Sequence, residues 1–221
     1  YLNISLLFAF YYEGFFIQSD HRRAHTHTLG AELGYQLIIE DDWELDIISK
    51  SYIAGFYPGD IIDNADKEIP ILEGLKNRSS GDGIGIRYSK YFENSTISLD
   101  VATLAPLSGS DGWIADLFYS HIVLYRNWDI YLNTGLTYYS DDVIDYYVGI
   151  DESETSALRE EFTGHHSVKT QVEIFAQRPI SKSWTFNVGL SLSHYFGDIT
   201  DSPIVDRQNA SQIMAGVLYV F

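Results

Sequence analysis

Cysteine is absent from the 221-residue chain, which excludes a disulfide framework and any metal site built on thiolates. Basic residues are scarce: 14 lysines and arginines stand against 31 aspartates and glutamates, for a formal net charge of −17. Such a chain repels the phosphates of nucleic acid, so we expect no nucleic acid partner. Long apolar runs are also missing, and no segment approaches the ~20 apolar residues that a transmembrane helix requires.

Aromatic residues, in contrast, are abundant. They make up 15% of the chain, with 17 tyrosines and 12 phenylalanines, which is too apolar for a disordered acidic chain. The mean hydropathy of −0.10 suits a soluble protein. It suits a transmembrane β-barrel equally well, because lipid-facing and lumen-facing residues alternate along each strand of such a barrel.

Apolar and polar residues alternate with a period of two over long segments, most clearly in 128–139, 184–195 and 212–221. Such alternation predicts half-buried β-strands. The segments run roughly 10–14 residues, whereas soluble strands usually run about 5–6 and membrane-crossing strands about 9–11. The residues that alternate with the apolar ones are mostly glycine, serine, threonine, asparagine and acids, which suits a polar lumen.

The connections between the predicted strands alternate in length. Short turns on one rim and long loops on the other are typical of outer-membrane barrels, in which the short turns face the periplasm. The sequence therefore predicts an all-β, antiparallel transmembrane outer-membrane β-barrel as one domain over 1–221, with a short helix at 153–161. Tight polar turns occupy 40–42, 93–94, 126–127 and 181–183, and long polar stretches occupy 58–80, 140–164 and 197–209.

Aromatic residues mark the ends of these segments. Trp43, Trp128 and Trp184 each directly follow a short turn. We expect them to form a girdle at one membrane interface, where indole rings lie at the level of the lipid headgroups. Tyr219 and the terminal Phe221 alternate on the last segment, a pattern that resembles the signal read by the barrel assembly machinery.

The candidate strands number about eleven by this pattern. Bacterial single-chain barrels have an even number of strands, and both of their termini lie in the periplasm. We therefore expect about twelve strands in the full protein, with the first strand preceding Tyr1 and absent from this sequence. The candidates are 2–12, 15–20, 25–39, 43–57, 82–92, 95–105, 113–125, 128–139, 167–180, 184–196 and 210–221.

The last part of the chain, from about 141 to 221, resembles the MipA/OmpV family. The Tyr-Tyr-x-Gly-Val segment of that family is matched by Tyr-Tyr-Val-Gly-Ile at 146–150, and its strand beginning with tryptophan is matched at Trp184. Gly-Asp at 197–198 and Asp-Ser-Pro-Ile-Val at 201–205 match the stretch before the last strand, and the latter is the most specific match.

The resemblance implies a non-enzymatic outer-membrane barrel of a Gram-negative bacterium. The name-giving member of the family is a scaffold that links a murein lytic transglycosylase to a bifunctional peptidoglycan synthase, and other members are described as porin-like, stress-responsive or adhesive. We expect a scaffold or structural protein that contacts periplasmic cell-wall enzymes, is surrounded by lipid and lipopolysaccharide, and has no cofactor. A small diffusion channel and an outer-membrane hydrolase are the alternatives. The stretches 18–28 and 58–80 look like insertions.

Charged residues fall on the predicted lumen face. They could line a selective pore, or they could pair with one another in a polar plug, because charges in a narrow interior need partners or water. We favour the plug, in which Arg87 and either Lys50 or Lys169 contact acids. The residues are Glu32, Glu44, Asp46, Lys50, Arg87, Asp100, Asp116, Asp129, Lys169 and Glu173.

Three further groups of residues could carry chemistry. His21, His25 and His27 could hold a metal ion, but we favour a solvated loop and expect no metal. Serines beside His121 and His194 could serve a hydrolase, but neighbours along a strand face opposite sides, so we expect no catalytic residues. Acidic stretches in the loop 140–164 could bind Ca²⁺, yet they lack EF-hand spacing.

Overall fold

The computed structural model describes residues 8–19, 31–63, 68–105 and 107–219. Over these ranges the chain is almost entirely β-structure, with two short α-helices and a few 3₁₀ turns. The strands are β1 (Ala9–Tyr12), β2 (Phe15–Ser19), β3 (Ala31–Ile39), β4 (Trp43–Ile53), β5 (Gly81–Phe92), β6 (Ser95–Thr103), β7 (Trp113–Tyr125), β8 (Trp128–Tyr139), β9 (Ser167–Pro179), β10 (Trp184–Gly197) and β11 (Asn209–Tyr219). The helices are α1 (Pro58–Asp63) and α2 (Asp141–Val148).

Each strand pairs antiparallel with the next along the chain, so that one sheet runs in order from β1 to β11. This is the sheet of an up-and-down barrel, as the alternation predicts. Within the described residues β1 and β11 form the two edges of the sheet and do not pair with each other. The expectation of a further strand between them stays a prediction.

The strand bounds follow the predicted ones closely, and the largest difference within the described residues is at β4. The predicted strand 43–57 ends at Ile53, because the chain then turns to form an isolated bridge between Phe56 and Arg78. Pro58 then starts α1, where its missing N–H needs no partner.

The sheet is strongly curved. Lys50 on β4 places its Nζ 3.9 Å from Oδ2 of Asp116 on β7, three strands away. Neighbouring strands lie about 4.8 Å apart, so a flat sheet would separate these two backbones by roughly 14 Å. We call the side on which these charged groups meet the concave face, and the opposite side the convex face.

The convex face is apolar and exposed on every long strand. Water-soluble proteins rarely expose contiguous apolar patches larger than a few hundred Å². A surface of this kind requires the hydrocarbon of a membrane. Examples taken across the sheet are Ile47, Ile86, Leu99, Leu117, Leu136, Ile174, Leu190 and Val217.

Helix α2 covers the concave face at the end of the long loops. Val143, Ile144, Tyr147 and Val148 share one apolar side of the helix, and they pack on inward-facing residues of β4, β6, β7 and β8. The sheet residues of this cluster are Tyr52, Ala102, Ile114 and Tyr139, together with Leu104 just beyond β6. Among the described residues, no helix is long and apolar enough to cross a membrane.

The predicted helix at 153–161 is wrong. Only a 3₁₀ turn at Glu152–Glu154 forms there, and Ser156 then bridges Arg159. The helix lies earlier in the same loop, because Asp141 and Asp142 occupy its first turn and its apolar side finds the sheet to pack on.

Candidate functional site

The concave face carries the charged residues that the alternation assigns to the lumen. Acidic and basic side chains from several different strands are almost completely buried there. Glu44 and Asp129 are half-buried. The buried ones, with their exposed fractions, are Glu32 (0%), Asp46 (3%), Lys50 (4%), Arg87 (3%), Asp100 (2%), Asp116 (1%), Lys169 (5%) and Glu173 (3%).

Arg87 is the centre of an ion-pair network. Its Nη1 and Nη2 donate to the two carboxylate oxygens of Glu32, at 2.5 and 2.6 Å. Its Nε and Nη2 donate to Asp100, at 2.7 and 2.9 Å. One guanidinium therefore holds two carboxylates through paired hydrogen bonds, which is the strongest geometry that an arginine offers.

Lys50 extends the network across the concave face. Its Nζ lies 2.8 Å from Asp100, 3.9 Å from Asp116 and 4.0 Å from Glu32, and 4.7 Å from the ring centre of Tyr52. Asp116 also accepts a hydrogen bond of 2.7 Å from Thr137 on β8. The network thus ties β3, β4, β5, β6, β7 and β8 together, directly beneath the cluster around α2.

Three more of the predicted lumen charges lie next to this network. Glu173 on β9 accepts a hydrogen bond of 2.6 Å from the side-chain amide of Asn133 on β8. Lys169 lies on the same strand, in register with Thr137. Asp46 lies in register with Arg87, on the short-turn side of Lys50.

A second ionic site, missed by the sequence reasoning, lies in the long loops. Arg78 donates from Nη2 to both carboxylate oxygens of Glu154, at 3.1 and 2.8 Å, and the backbone N–H of Lys76 donates to the same carboxylate at 2.7 Å. Arg159 donates to the backbone carbonyl oxygens of Ile71, Glu73 and Glu154. We call the loop segments 70–80 and 140–164, the second of which includes α2, the loop cap. In the sequence, the available signal for this site was two arginines, Arg78 and Arg159, that stand in acidic loops.

The loop cap affects the protonation of Glu154. Burial alone would raise the pKa of this carboxyl group, but the hydrogen bonds from the Arg78 side chain and from the Lys76 backbone outweigh it. The pKa is therefore lowered from its ordinary value, and the carboxylate form is held.

A cavity of about 360 Å³ lies on the concave face in the half nearest the short turns. Its position follows from its lining, since Glu44, Tyr91 and Thr96 are next to the strand ends at the short turns. Arg87 also lines it, so the ion-pair network separates the cavity from the loop cap. The remaining lining residues are Tyr11, Phe16, Gln18, Gln36, Asp46, Ser89, Ser98, Phe118, Ser120, Tyr131, Asn133, Phe175 and Gln177.

The predicted girdle tryptophans begin three strands. Trp43, Trp128 and Trp184 are the first residues of β4, β8 and β10, and each follows a short turn. Their strand positions alternate with the buried concave-face residues, which puts all three on the convex face. Tyr219, of the predicted assembly signal, pairs in register with Trp184 and contacts its ring, whereas Phe221 lies outside the described residues.

The structure gives little support to the alternative hydrolase and metal sites. His121 and His194 occupy convex-face positions, whereas Ser120 and Ser191 occupy concave-face positions on the same strands. Among the described residues, no group of three or more His, Cys, Asp or Glu could hold a metal ion. His21, His25 and His27 lie outside the described residues.

The comparisons with known proteins agree with this geometry. The family model for MltA-interacting protein MipA matches residues 2–221. Over 191 residues the chain is 26% identical to the putative outer membrane protein YiaT of Escherichia coli strain K12, covering 86% of this chain and 74% of that protein. Over 161 residues it is 27% identical to YiaT of Escherichia coli O157:H7, covering 72% of this chain and 65% of that protein.

The outer membrane protein OmpV of Vibrio cholerae is 24% identical over 156 residues, covering 68% of this chain and 58% of that protein. The chain therefore spans less than two thirds of the length of some of these relatives. All of them are named as outer membrane proteins of Gram-negative bacteria. With a family model matched over nearly its whole length and an apolar convex sheet, the chain belongs to the MipA family of outer-membrane proteins.

Proposed function

We propose that this protein is a non-enzymatic scaffold of the outer membrane, with a closed lumen and a short-turn rim that contacts cell-wall enzymes in the periplasm. The observation that carries the proposal is the network of Glu32, Lys50, Arg87, Asp100 and Asp116, which crosses the lumen beneath the loop cap. A barrel filled in this way offers its rims and its outer wall for function, rather than a pore.

The short-turn rim is the surface that we assign to the partner. Its turns are exposed, and they face the periplasm in barrels of this type. The name of the family, MltA-interacting protein, describes contact of its name-giving member with another protein. We therefore propose that a peptidoglycan-processing enzyme binds at this rim.

Site-specific crosslinking in native cells tests this assignment. A photoreactive amino acid replaces Asp41, Glu93 or Asn127, which are exposed in three different short turns. Matched controls carry it at Glu73 or Leu158, which are exposed in the loop cap. We expect the short-turn sites to capture a lytic or synthetic peptidoglycan enzyme and the loop sites not to do so. Capture of no such enzyme, or equal capture at both rims, would refute the partner.

Planar-bilayer recordings test the closed lumen separately. The intact protein should show no large, steady conductance, because two barriers lie in series: the loop cap and the ion-pair network. Deleting residues 141–164, which removes α2 and the rest of that loop, should still leave the lumen closed by the ion-pair network. Only the same deletion combined with Arg87→Ala should conduct. Steady conductance by the intact protein would support a diffusion channel instead.

A further inference from the structure

The cavity in the short-turn half of the lumen has an unusual lining. Two carboxylates, Glu44 and Asp46, stand two residues apart on β4 and therefore on the same face. Aromatic rings from β1, β2, β7, β8 and β9 surround the remaining space. They belong to Tyr11, Phe16, Phe118, Tyr131 and Phe175.

Two buried acceptor atoms at this cavity have no donor. Asp46 and Asn133 are 3% and 7% exposed, and Oδ1 of each accepts no hydrogen bond within the part of the chain that the structure describes. The amide of Asn133 cannot be turned around to avoid this. Its nitrogen donates to Glu173, and an ionised carboxylate can only accept. Both residues line the cavity, and their side chains there offer acceptors that a ligand with donors would suit.

The charges around the cavity point to the same kind of ligand. The carboxylates of Glu32, Asp100 and Asp116 already share the two cations of the network. Glu44 accepts from the hydroxyl of Tyr91, which brings no charge, and Asp46 adds a further carboxylate. Counted together with Lys169 and Glu173 on β9, these groups make six carboxylates against three cations on the concave face, an excess of three carboxylates in a poorly solvated space.

We propose that this cavity binds a small organic ammonium cation, which reaches it from the short-turn rim. A primary ammonium group has three N–H donors and no acceptors, so it matches the unsatisfied acceptors of Asp46 and Asn133. Its charge offsets the carboxylate surplus, and aromatic faces attract such cations. Anions are repelled, and a neutral ligand leaves the charge surplus in place. The site is independent of the scaffold role, because it uses the lumen and not the turns.

Calorimetry with a matched pair of probes tests the proposal on the detergent-solubilised protein. Benzylamine is protonated at neutral pH and carries a primary ammonium group, and benzyl alcohol is its neutral counterpart of nearly the same shape. We expect benzylamine to bind with one-to-one stoichiometry and the alcohol not to bind. Equal binding of the two probes, or no binding of benzylamine, would overturn the proposal.

Substitutions then locate the site. Asp46→Asn should weaken benzylamine binding by about tenfold or more, since it removes one carboxylate at close range. Asp41→Asn makes the same change in an exposed turn and should leave binding unaltered. The shift in electrophoretic mobility on heating reports whether each variant is folded, and Glu44→Gln replaces Asp46→Asn if the latter does not fold. Unchanged affinity in the folded variant would place the cation elsewhere.

Discussion

Replacing Arg87 with methionine should destabilise the protein more than any change at a surface arginine. The substitution removes four hydrogen bonds and leaves Glu32 and Asp100 with exposed fractions of 0% and 2%. Removing one partner of a buried ion pair typically costs about 3–5 kcal/mol, because the remaining charge stays buried.

The structure decides where in that range the cost should lie. Asp100 keeps Lys50 at 2.8 Å, so it stays paired after the substitution. Glu32 keeps a hydrogen bond of 2.7 Å from Gln18 and has Lys50 at 4.0 Å. Because both carboxylates keep partners after the substitution, we expect a loss near the lower end, about 3 kcal/mol.

The assay is denaturant unfolding of the vesicle-embedded protein, followed by tryptophan fluorescence. Adding Glu32→Gln to Arg87→Met removes one of the two carboxylates that lose the guanidinium and should restore most of the lost stability. Arg207→Met is the matched control and should change the stability by no more than about 0.5 kcal/mol, because Arg207 and its partner Asp206 are almost fully exposed. A single variant as stable as the parent, or a double variant no better than the single, would refute the reasoning.

Three further predictions concern the cap and the membrane interface. Because the pKa of Glu154 is lowered on folding, the stability that its carboxylate gives the loop cap is fully present above the ordinary pKa of 4.5 and is lost as the pH falls through the folded-state pKa. Proteolysis within 141–164 should therefore accelerate at acid pH, and it should accelerate less in Glu154→Gln. Gly112→Ala should lower the free energy of unfolding in denaturant by about 1–3 kcal/mol. The new Cβ would lie 2.5 Å from a methyl group of Val143 and 2.8 Å from the backbone nitrogen of Val143. Gly59→Ala is the control, because a Cβ there meets nothing within 4 Å. In single-tryptophan variants, quenching by brominated lipids should place Trp43, Trp128 and Trp184 at one common depth.

The strands could be predicted from the sequence because their signal is local. Alternation fixes which side of a strand each residue faces, and turn residues fix where the strand ends. The predicted segments 113–125 and 128–139 coincide with β7 and β8 for this reason. The pairing of Arg87 with Asp100 could also have been derived, because the two residues lie equally far along the chain from the tight turn at 93–94.

Contacts between distant parts of the sheet could not be derived in this way. Glu32 reaches Arg87 across an intervening strand, and Lys50 reaches Asp116 across two, so both contacts depend on the curvature of the whole sheet. The misplaced helix has a similar cause. The segment around Arg159 is held by carbonyl groups 88 and 86 residues away along the chain, and no local pattern reports them.

The long-loop end, the middle and the short-turn half of the concave face differ in chemistry, so the two ends of the sheet offer different surfaces to a ligand. At the long-loop end α2 closes the concave face with apolar side chains, which neither ions nor polar solutes cross readily. In the middle, carboxylates are tied to Arg87 and Lys50. The short-turn half keeps open space among the described residues, with an oxygen of Asp46 that accepts no hydrogen bond there. A soluble ligand can therefore approach this cavity from the short-turn rim, which is also the rim that we assign to the partner enzyme.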